Sequence, residues 1–101
     1  MSPVHLTLIG KPGCHLCDDA RAIVARVLAD YDPDAVSPEI AELSILDDPA
    51  LHERYVEEIP VLLIDGTVHT YWRVDADRLK TALNRTLLNR TLLNRTFEER
   101  R

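Results

Sequence analysis

No apolar run in this chain approaches the ~18 residues that a membrane-spanning helix requires. No basic surplus marks it as a general nucleic-acid binder either, because the formal net charge is −5. Glycine and proline are few, three and six in 101 residues, beside 46% apolar and 29% charged residues. That composition is globular, neither disordered nor fibrous. The start shows no charged segment leading into an apolar run and no small-residue cleavage site after it. The expectation is therefore a cytoplasmic protein that acts neither at a membrane nor on nucleic acid. Cysteine is scarce, two in all, and there is no second Cys-x-x-Cys to complete the four ligands of a structural zinc site. In a reducing compartment a structural disulfide is not expected. A close pair of cysteines then points to redox work or to metal binding.

A chain of 101 residues makes one domain and buries a core without a disulfide or metal staple. Its charge is uneven. Residues 1–77 hold 5 Lys/Arg against 15 Asp/Glu, a balance of −10, whereas residues 78–101 hold 7 against 2, a balance of +5. Val4 to Ile9 is an apolar, partly β-branched run ended by Gly10, Pro12 and Gly13, a short buried strand followed by a tight loop. From Cys14 the pattern turns helical. Leu16, Ala20, Ile23, Val24, Val27 and Tyr31 recur at three- and four-residue steps, and Asp32-Pro33-Asp34 breaks the helix. Ile40 to Leu46 reads as the second strand, with Ala41, Leu43 and Ile45 alternating against Glu42 and Ser44. Asp48-Pro49 caps a short helix to about Tyr55. Val61–Ile64 and Val68–Trp72 flank Asp65-Gly66, a hairpin signal that rests on positive φ at both central residues of a type I′ turn. Asp75 then caps a last helix through Leu79 and Leu83. A strand–helix–strand unit followed by a hairpin gives a mixed four-stranded sheet covered by helices, an α/β fold.

The tail repeats itself: residues 83–87 and 88–92 read LNRTL, and 93–97 read LNRTF. Five residues advance a helix by about 500°, about 140° past a full turn, so successive leucines walk around the axis and never form one stripe. The pairs Leu83–Leu87, Leu88–Leu92 and Leu93–Phe97 do fall at i,i+4 and support a helix. The repeat is read as a duplication that lengthened the last helix, with a partner-binding helix as the alternative. It also creates Asn-Arg-Thr triplets at Asn84, Asn89 and Asn94, glycosylation acceptors that a cytosolic chain never uses.

The chemistry lies in Lys11-Pro-Gly-Cys14-His-Leu-Cys17. Two thiols three apart share one helix face, within reach of a disulfide. Cys14 falls at the helix N-terminus, where unpaired amides and the macrodipole favour the anion, and a lowered thiol pKa is expected. Lys11 adds positive charge, and is read either as an anion contact or as an ordinary surface lysine. His15 is either a solvated cap-region side chain or a tuner of the thiolate. Asp18 and Asp19 oppose the shift. Cys14 and Cys17 are the expected catalytic pair.

These residues, with Ile59-Pro60 before a strand and the Asp65-Gly66 hairpin, make the sequence resemble the glutaredoxin-like branch of the thioredoxin superfamily, over about residues 4–83. The resemblance implies a thioredoxin-like βαβαββα fold for residues 1–83, with 84–101 as an extension of the last helix. It implies a cis Pro60 facing the cysteines, with the Ile59 backbone pairing an extended substrate. The alternative is a trans proline opening an edge strand. Lys11, His15, Ile59, Pro60 and Asp75 become expected substrate-binding residues, and Asp75 fits both the family's acidic position and a helix N-cap. The chain departs from the family in two places. His15-Leu16 replaces Pro-Tyr between the cysteines, and Trp72-Arg73-Val74-Asp75 stands where a Gly-Gly pair and an acidic residue contact glutathione. The implied activity is a dithiol thiol–disulfide oxidoreductase acting on protein or low-molecular-weight disulfides, with no bound cofactor and no metal. Glutathione, as co-substrate, or a flavin-dependent reductase system would recycle it. The alternatives are a glutathione-dependent iron–sulfur cluster binder and a redox-inactive adaptor that docks partners through the C-terminal helix.

Overall fold

In the computed structural model, residues 3–99 are described, with side chains through residue 92. The Leu93–Phe97 pair and the Asn94 triplet lie outside the described side chains. The elements are β1 (Val4–Gly10), α1 (His15–Leu28), β2 (Val36–Ser44), α2 (Pro49–Tyr55), β3 (Val61–Ile64), β4 (Thr67–Tyr71) and α3 (Ala76–Glu99). The sheet order is β2-β1-β3-β4. β1 pairs parallel with β2 and antiparallel with β3, and β4 closes the sheet antiparallel to β3. The βαβαββα order and the mixed four-stranded sheet are those expected from the sequence. No helix among the described residues is long and apolar enough to cross a membrane.

The strand period of two sorts the core into two layers. Leu6 and Leu8 of β1 and Leu62 and Ile64 of β3 face α1 and α3, where they meet Ala20, Val24, Leu79 and Leu83. Ile9 and Val61 face the opposite side and pack with Ile45 and with Tyr55 of α2. The central strands are thus buried on both faces, which is why their sequences read as nearly continuous apolar runs. Asp65 and Gly66 have φ of 49° and 82°, the type I′ geometry that the Asp-Gly pair predicts. Asp65 also receives the His5 amide at 2.9 Å and pairs with Arg90 of α3. Asp48 caps α2 through the Ala50 amide at 2.9 Å.

Three sequence expectations shift. β2 starts at Val36, not Ile40, and ends at Ser44. Its register with β1 jumps between Val4↔Val36 and Leu6↔Ile40, so the stretch containing Pro38 is bulged out of the ladder. An edge strand tolerates such a proline, whereas a central one does not. Leu43, expected on the apolar face with Ala41 and Ile45, is exposed, while Ile45 is buried. α1 ends at Leu28, before Tyr31, and the Tyr31 hydroxyl instead donates to Asn84 Oδ1 at 2.8 Å. Within α1 the buried face begins at Cys17, not at Leu16, which is 42% exposed. Finally, β4 ends at Tyr71 and Trp72 lies beyond it.

The walking leucines of the repeat give a direct test. Leu83 is fully buried, whereas Leu88, at the same place in the second repeat, is more than half exposed. Leu83→Ala is expected to cost about 2–5 kcal/mol in denaturant unfolding, and Leu88→Ala less than about 0.5 kcal/mol.

Candidate active site

The loop from β1 turns into α1 through Gly13, whose φ of +76° suits glycine. Cys14 is the N-cap of α1, with extended backbone, and its Sγ accepts the Cys17 amide at 3.2 Å. A cap residue supplies an acceptor to the orphan amides of the first turn, here with sulfur in the place usually held by a serine, asparagine or aspartate oxygen. The Cys14 carbonyl accepts the Asp18 amide at 3.0 Å, which closes the first helical turn. Both cysteines are free thiols, Cys14 half-buried and Cys17 buried at 1% exposure.

Cys17 reaches that depth because of Gly10. A Cβ on Gly10 would sit 2.7 Å from Cys17 Sγ, far inside van der Waals contact. The strand end is therefore a bare backbone surface against which the second sulfur packs. Burial pushes the Cys17 thiol up from 9.0 to about 11, and its hydrogen bond with Cys14 adds to the rise, while the Lys11 backbone amide pulls the other way. The pair is thereby unequal: an accessible sulfur facing amide donors, and a buried one kept protonated.

The acidic residues near the thiols are partly neutralised. Arg21 donates to Glu42 Oε1 and to Asp18 Oδ1, both at 2.8 Å. Glu42 first and Asp18 second hold that guanidinium in its charged form. The bridge fastens α1 to the edge strand β2, although pairs this exposed contribute little stability. Together with Lys11, Cys17 and Ser44 it bounds a cleft of about 220 Å³ on the β2 side of the pair.

The remaining expected site residues lie in the turn into α1, just before β3 and just before α3. The Ile59–Pro60 peptide is cis, as the resemblance implied, with Pro60 buried and Ile59 half-buried. Lys11 and His15 are exposed on either side of the turn into α1. Asp75 is the N-cap of α3: its Oδ1 accepts the Arg78 amide and its carbonyl accepts the Leu79 amide, both at 2.9 Å. Among the described residues, no three His, Cys, Asp or Glu side chains are grouped to hold a metal ion.

Two residues escaped the sequence reading. Gly10 ends the apolar run of β1 in the sequence, and nothing in the spacing signals its contact with Cys17. Trp72 was expected at the end of β4, but it has φ of +63°, a left-handed conformation that costs a bulky side chain about 1–2 kcal/mol. Three hydrogen bonds hold it there. Its amide donates to the carbonyls of Pro60 at 2.8 Å and Glu58 at 3.3 Å, and its Nε1 donates to the Glu57 carbonyl at 2.9 Å. The signal available in the sequence was the placement of Trp72-Arg73 where the family has glycines.

Comparison with known proteins agrees with this geometry. The glutaredoxin-like domain family (DUF836) matches residues 5–84. The X-ray structure of target protein XcR50 from X. campestris is 33% identical, covers 78% of this chain and 95% of its own, and superposes with a TM-score of 0.62. A mutant thioredoxin from Halobacterium salinarum shares the fold at 23% identity and TM-score 0.56, over 81% of this chain and 73% of its own. An uncharacterized protein of Mycobacterium tuberculosis is 27% identical over 86 residues, 85% of this chain and 89% of its own.

Gly10→Ala is expected to force Cys17 and β1 apart, lowering stability by about 1–3 kcal/mol and opening Cys17 to alkylation; chemical denaturation and timed iodoacetamide labelling report the two effects. The raised Cys17 thiol predicts a pH dependence. Between about 9 and about 11 the folded chain keeps a proton that the unfolded chain has lost, so Cys17's contribution to stability is complete below about 9 and falls as pH rises through that window. Wild-type protein should lose more stability than Cys17→Ala across this range in parallel denaturant titrations.

Proposed function

Since the chain belongs to the glutaredoxin-like domain family, we propose that it is a thiol–disulfide oxidoreductase working through Cys14 and Cys17. The observation that carries this reading is the N-cap sulfur of Cys14, facing the Cys17 amide at 3.2 Å, with a second, buried thiol one turn below it. Cys14 is the more accessible of the two sulfurs and sits at the start of the helix. Cys17, kept protonated by burial, does not compete for the first attack.

The Cys14 thiolate attacks one sulfur of a substrate disulfide. The substrate S–S bond breaks, one substrate sulfur leaves as a thiolate and takes up a proton, and a mixed disulfide with Cys14 remains. Cys17 gives up its proton and attacks the Cys14 sulfur, and the second substrate sulfur leaves and is protonated. The substrate has gained two electrons and two protons, and the protein holds a Cys14–Cys17 disulfide. Glutathione or a flavin-dependent reductase system returns it to the dithiol. Ile59 and Pro60 border the site on the β3 side, and an extended substrate pairs with the Ile59 backbone as a short added strand. Lys11 and His15, exposed on the turn that carries Cys14, offer polar contacts to an incoming substrate. Such chemistry suits a reducing compartment, the cytoplasm.

Cys14→Ser is expected to abolish reduction of a model protein disulfide such as insulin. Cys17→Ser is expected to accumulate a mixed disulfide through Cys14, seen as an intact-mass increase that dithiothreitol reverses. Full insulin reduction by Cys14→Ser would overturn the mechanism. Coupled NADPH oxidation, run once with glutathione and glutathione reductase and once with thioredoxin reductase, identifies the recycling partner.

A further inference from the structure

Between the edge strand β4 and the first half of α3 lies a cavity of about 430 Å³ that shares no residue with the cysteine turn. His69 lines it from the strand, and Arg78, Thr81 and Arg85 line it from the helix. It continues towards the Asp65-Gly66 turn as a second hollow of about 370 Å³, which His69 and Arg85 also border.

The imidazole owes its place to an irregular ladder. β3 and β4 pair Leu62 with Thr70 and Leu63 with Val68, so His69 is the extra residue of a bulge and has no partner on β3. A bulge re-aims the side chain it carries, and such irregularities gather beside functional sites. Val68 packs into the layer that holds α2, whereas His69 lines the cavity against α3 and is half-buried. Burial first, and Arg78 second, hold its ring below the ordinary imidazole range. The neutral ring still offers one N–H.

Arg78 and Arg85 stand two turns apart on one face of α3, about 10.5 Å along its axis, so long side chains from both converge over the turn between them. On the same helix Lys80 is paired with Asp30 and Arg90 with Asp65. Among the described residues, no carboxylate lies within ion-pair distance of Arg78 or Arg85. Asp77 is the one carboxylate on the wall of the larger cavity, and its charge also acts on Lys80. The Thr81 hydroxyl donates to the Asp77 carbonyl at 3.0 Å, which leaves its oxygen only as an acceptor. The donors facing the cavity are therefore two guanidinium forks and a ring N–H, a set that suits an anion.

We propose that this cavity binds the dianionic phosphate of a small phosphomonoester through Arg78, Arg85 and His69, with the organic part of the molecule in the adjoining hollow. A phosphate presents three acceptor oxygens to donors arriving from three directions, whereas a planar carboxylate is satisfied by a single guanidinium fork. The site is separate from the cysteine pair and stands whether or not the oxidoreductase reading does.

The test titrates the full-length protein at about pH 7.5, where a phosphomonoester is dianionic. The probes are glycerol 3-phosphate, inorganic phosphate and acetate at constant ionic strength, and the ring signals of the four histidines are followed by NMR. The expected result is a saturable movement of His69 alone, with a dissociation constant of about 1 mM or lower for glycerol 3-phosphate, and none with acetate. At saturation the His69 titration should move upward, because a bound dianion favours the charged ring. The other charges facing that ring are Arg78, Arg85 and Asp77 from α3, and Asp65, held by Arg90, at the turn; β3 is apolar throughout. Arg78→Gln combined with Arg85→Gln, both exposed positions, should weaken binding at least about tenfold, with the dispersion of the amide spectrum retained. Arg54→Gln, exposed on α2 at the opposite face of the sheet, removes one like charge and should change the affinity less than about twofold. A His69 signal that fails to saturate by about 20 mM, an equal response to acetate, or unchanged affinity in the double arginine variant overturns the proposal. Tighter binding of inorganic phosphate than of glycerol 3-phosphate overturns the choice of an ester.

Discussion

The reactive end of this molecule depends on how closely the first turn of α1 approaches the last residue of β1. That approach is possible because Gly10 has no side chain where Cys17 Sγ packs. It sets the depth of Cys17, and depth in turn separates the two thiols chemically. A buried sulfur holds its proton, and a sulfur at the cap faces the amides of the turn. Adjacent cysteines on a fully exposed helix would have the same spacing without this asymmetry. The difference between an accessible sulfur and a buried one thus comes from a strand–helix contact and not from the cysteines alone.

The elements around the pair reinforce that contact from different sides. Arg21, paired with Asp18 of its own helix, ties α1 to β2 through Glu42, and Val24 and Val27 lock the body of α1 onto the sheet. Trp72 hangs from the carbonyls of Glu57, Glu58 and Pro60, which joins the segment after β4 to the loop before β3. The sheet and α1 are made rigid by apolar packing, whereas that junction is held by backbone hydrogen bonds to an exposed aromatic.

Much of this was legible in the sequence because local chemistry and tertiary structure agree. Asp65-Gly66 demands the turn it makes, Asp48-Pro49 and Asp75 cap the helices they precede, and the Cys14–Cys17 spacing places two sulfurs on one helix turn. Where the reading slipped, the deciding force was not local. Pro38 sits in a bulge that an edge strand permits, so β2 begins four residues before its apolar alternation does. Leu16 has the right periodicity to be buried, but the helix end projects past the sheet and Cys17 takes the core position. The Gly10 contact and the left-handed Trp72 depend on which backbone passes which, and no one-dimensional pattern records that.

The C-terminal repeat shows the same limit from the opposite direction, since its pattern is strong and its packing weak. A five-residue period is out of step with a helix of 3.6 residues per turn. Hence Leu83 of the first repeat enters the core, Leu87 packs half-buried against it, and Leu88 and Leu92 face outward. The helix continues all the same, because its local terms do not require a core. Thr86 and Thr91 return their hydroxyls to the carbonyls of Ala82 and Leu87, which satisfies them within the helix. Arg90 reaches back to Asp65 at the hairpin turn, the same carboxylate that receives the His5 amide. The helix is thereby fastened to the sheet at the end where β1 begins and the β3–β4 turn lies, opposite the cysteines. Lengthening α3 beyond the core therefore adds surface at the far pole of the domain and leaves the Gly10–Cys17 contact untouched.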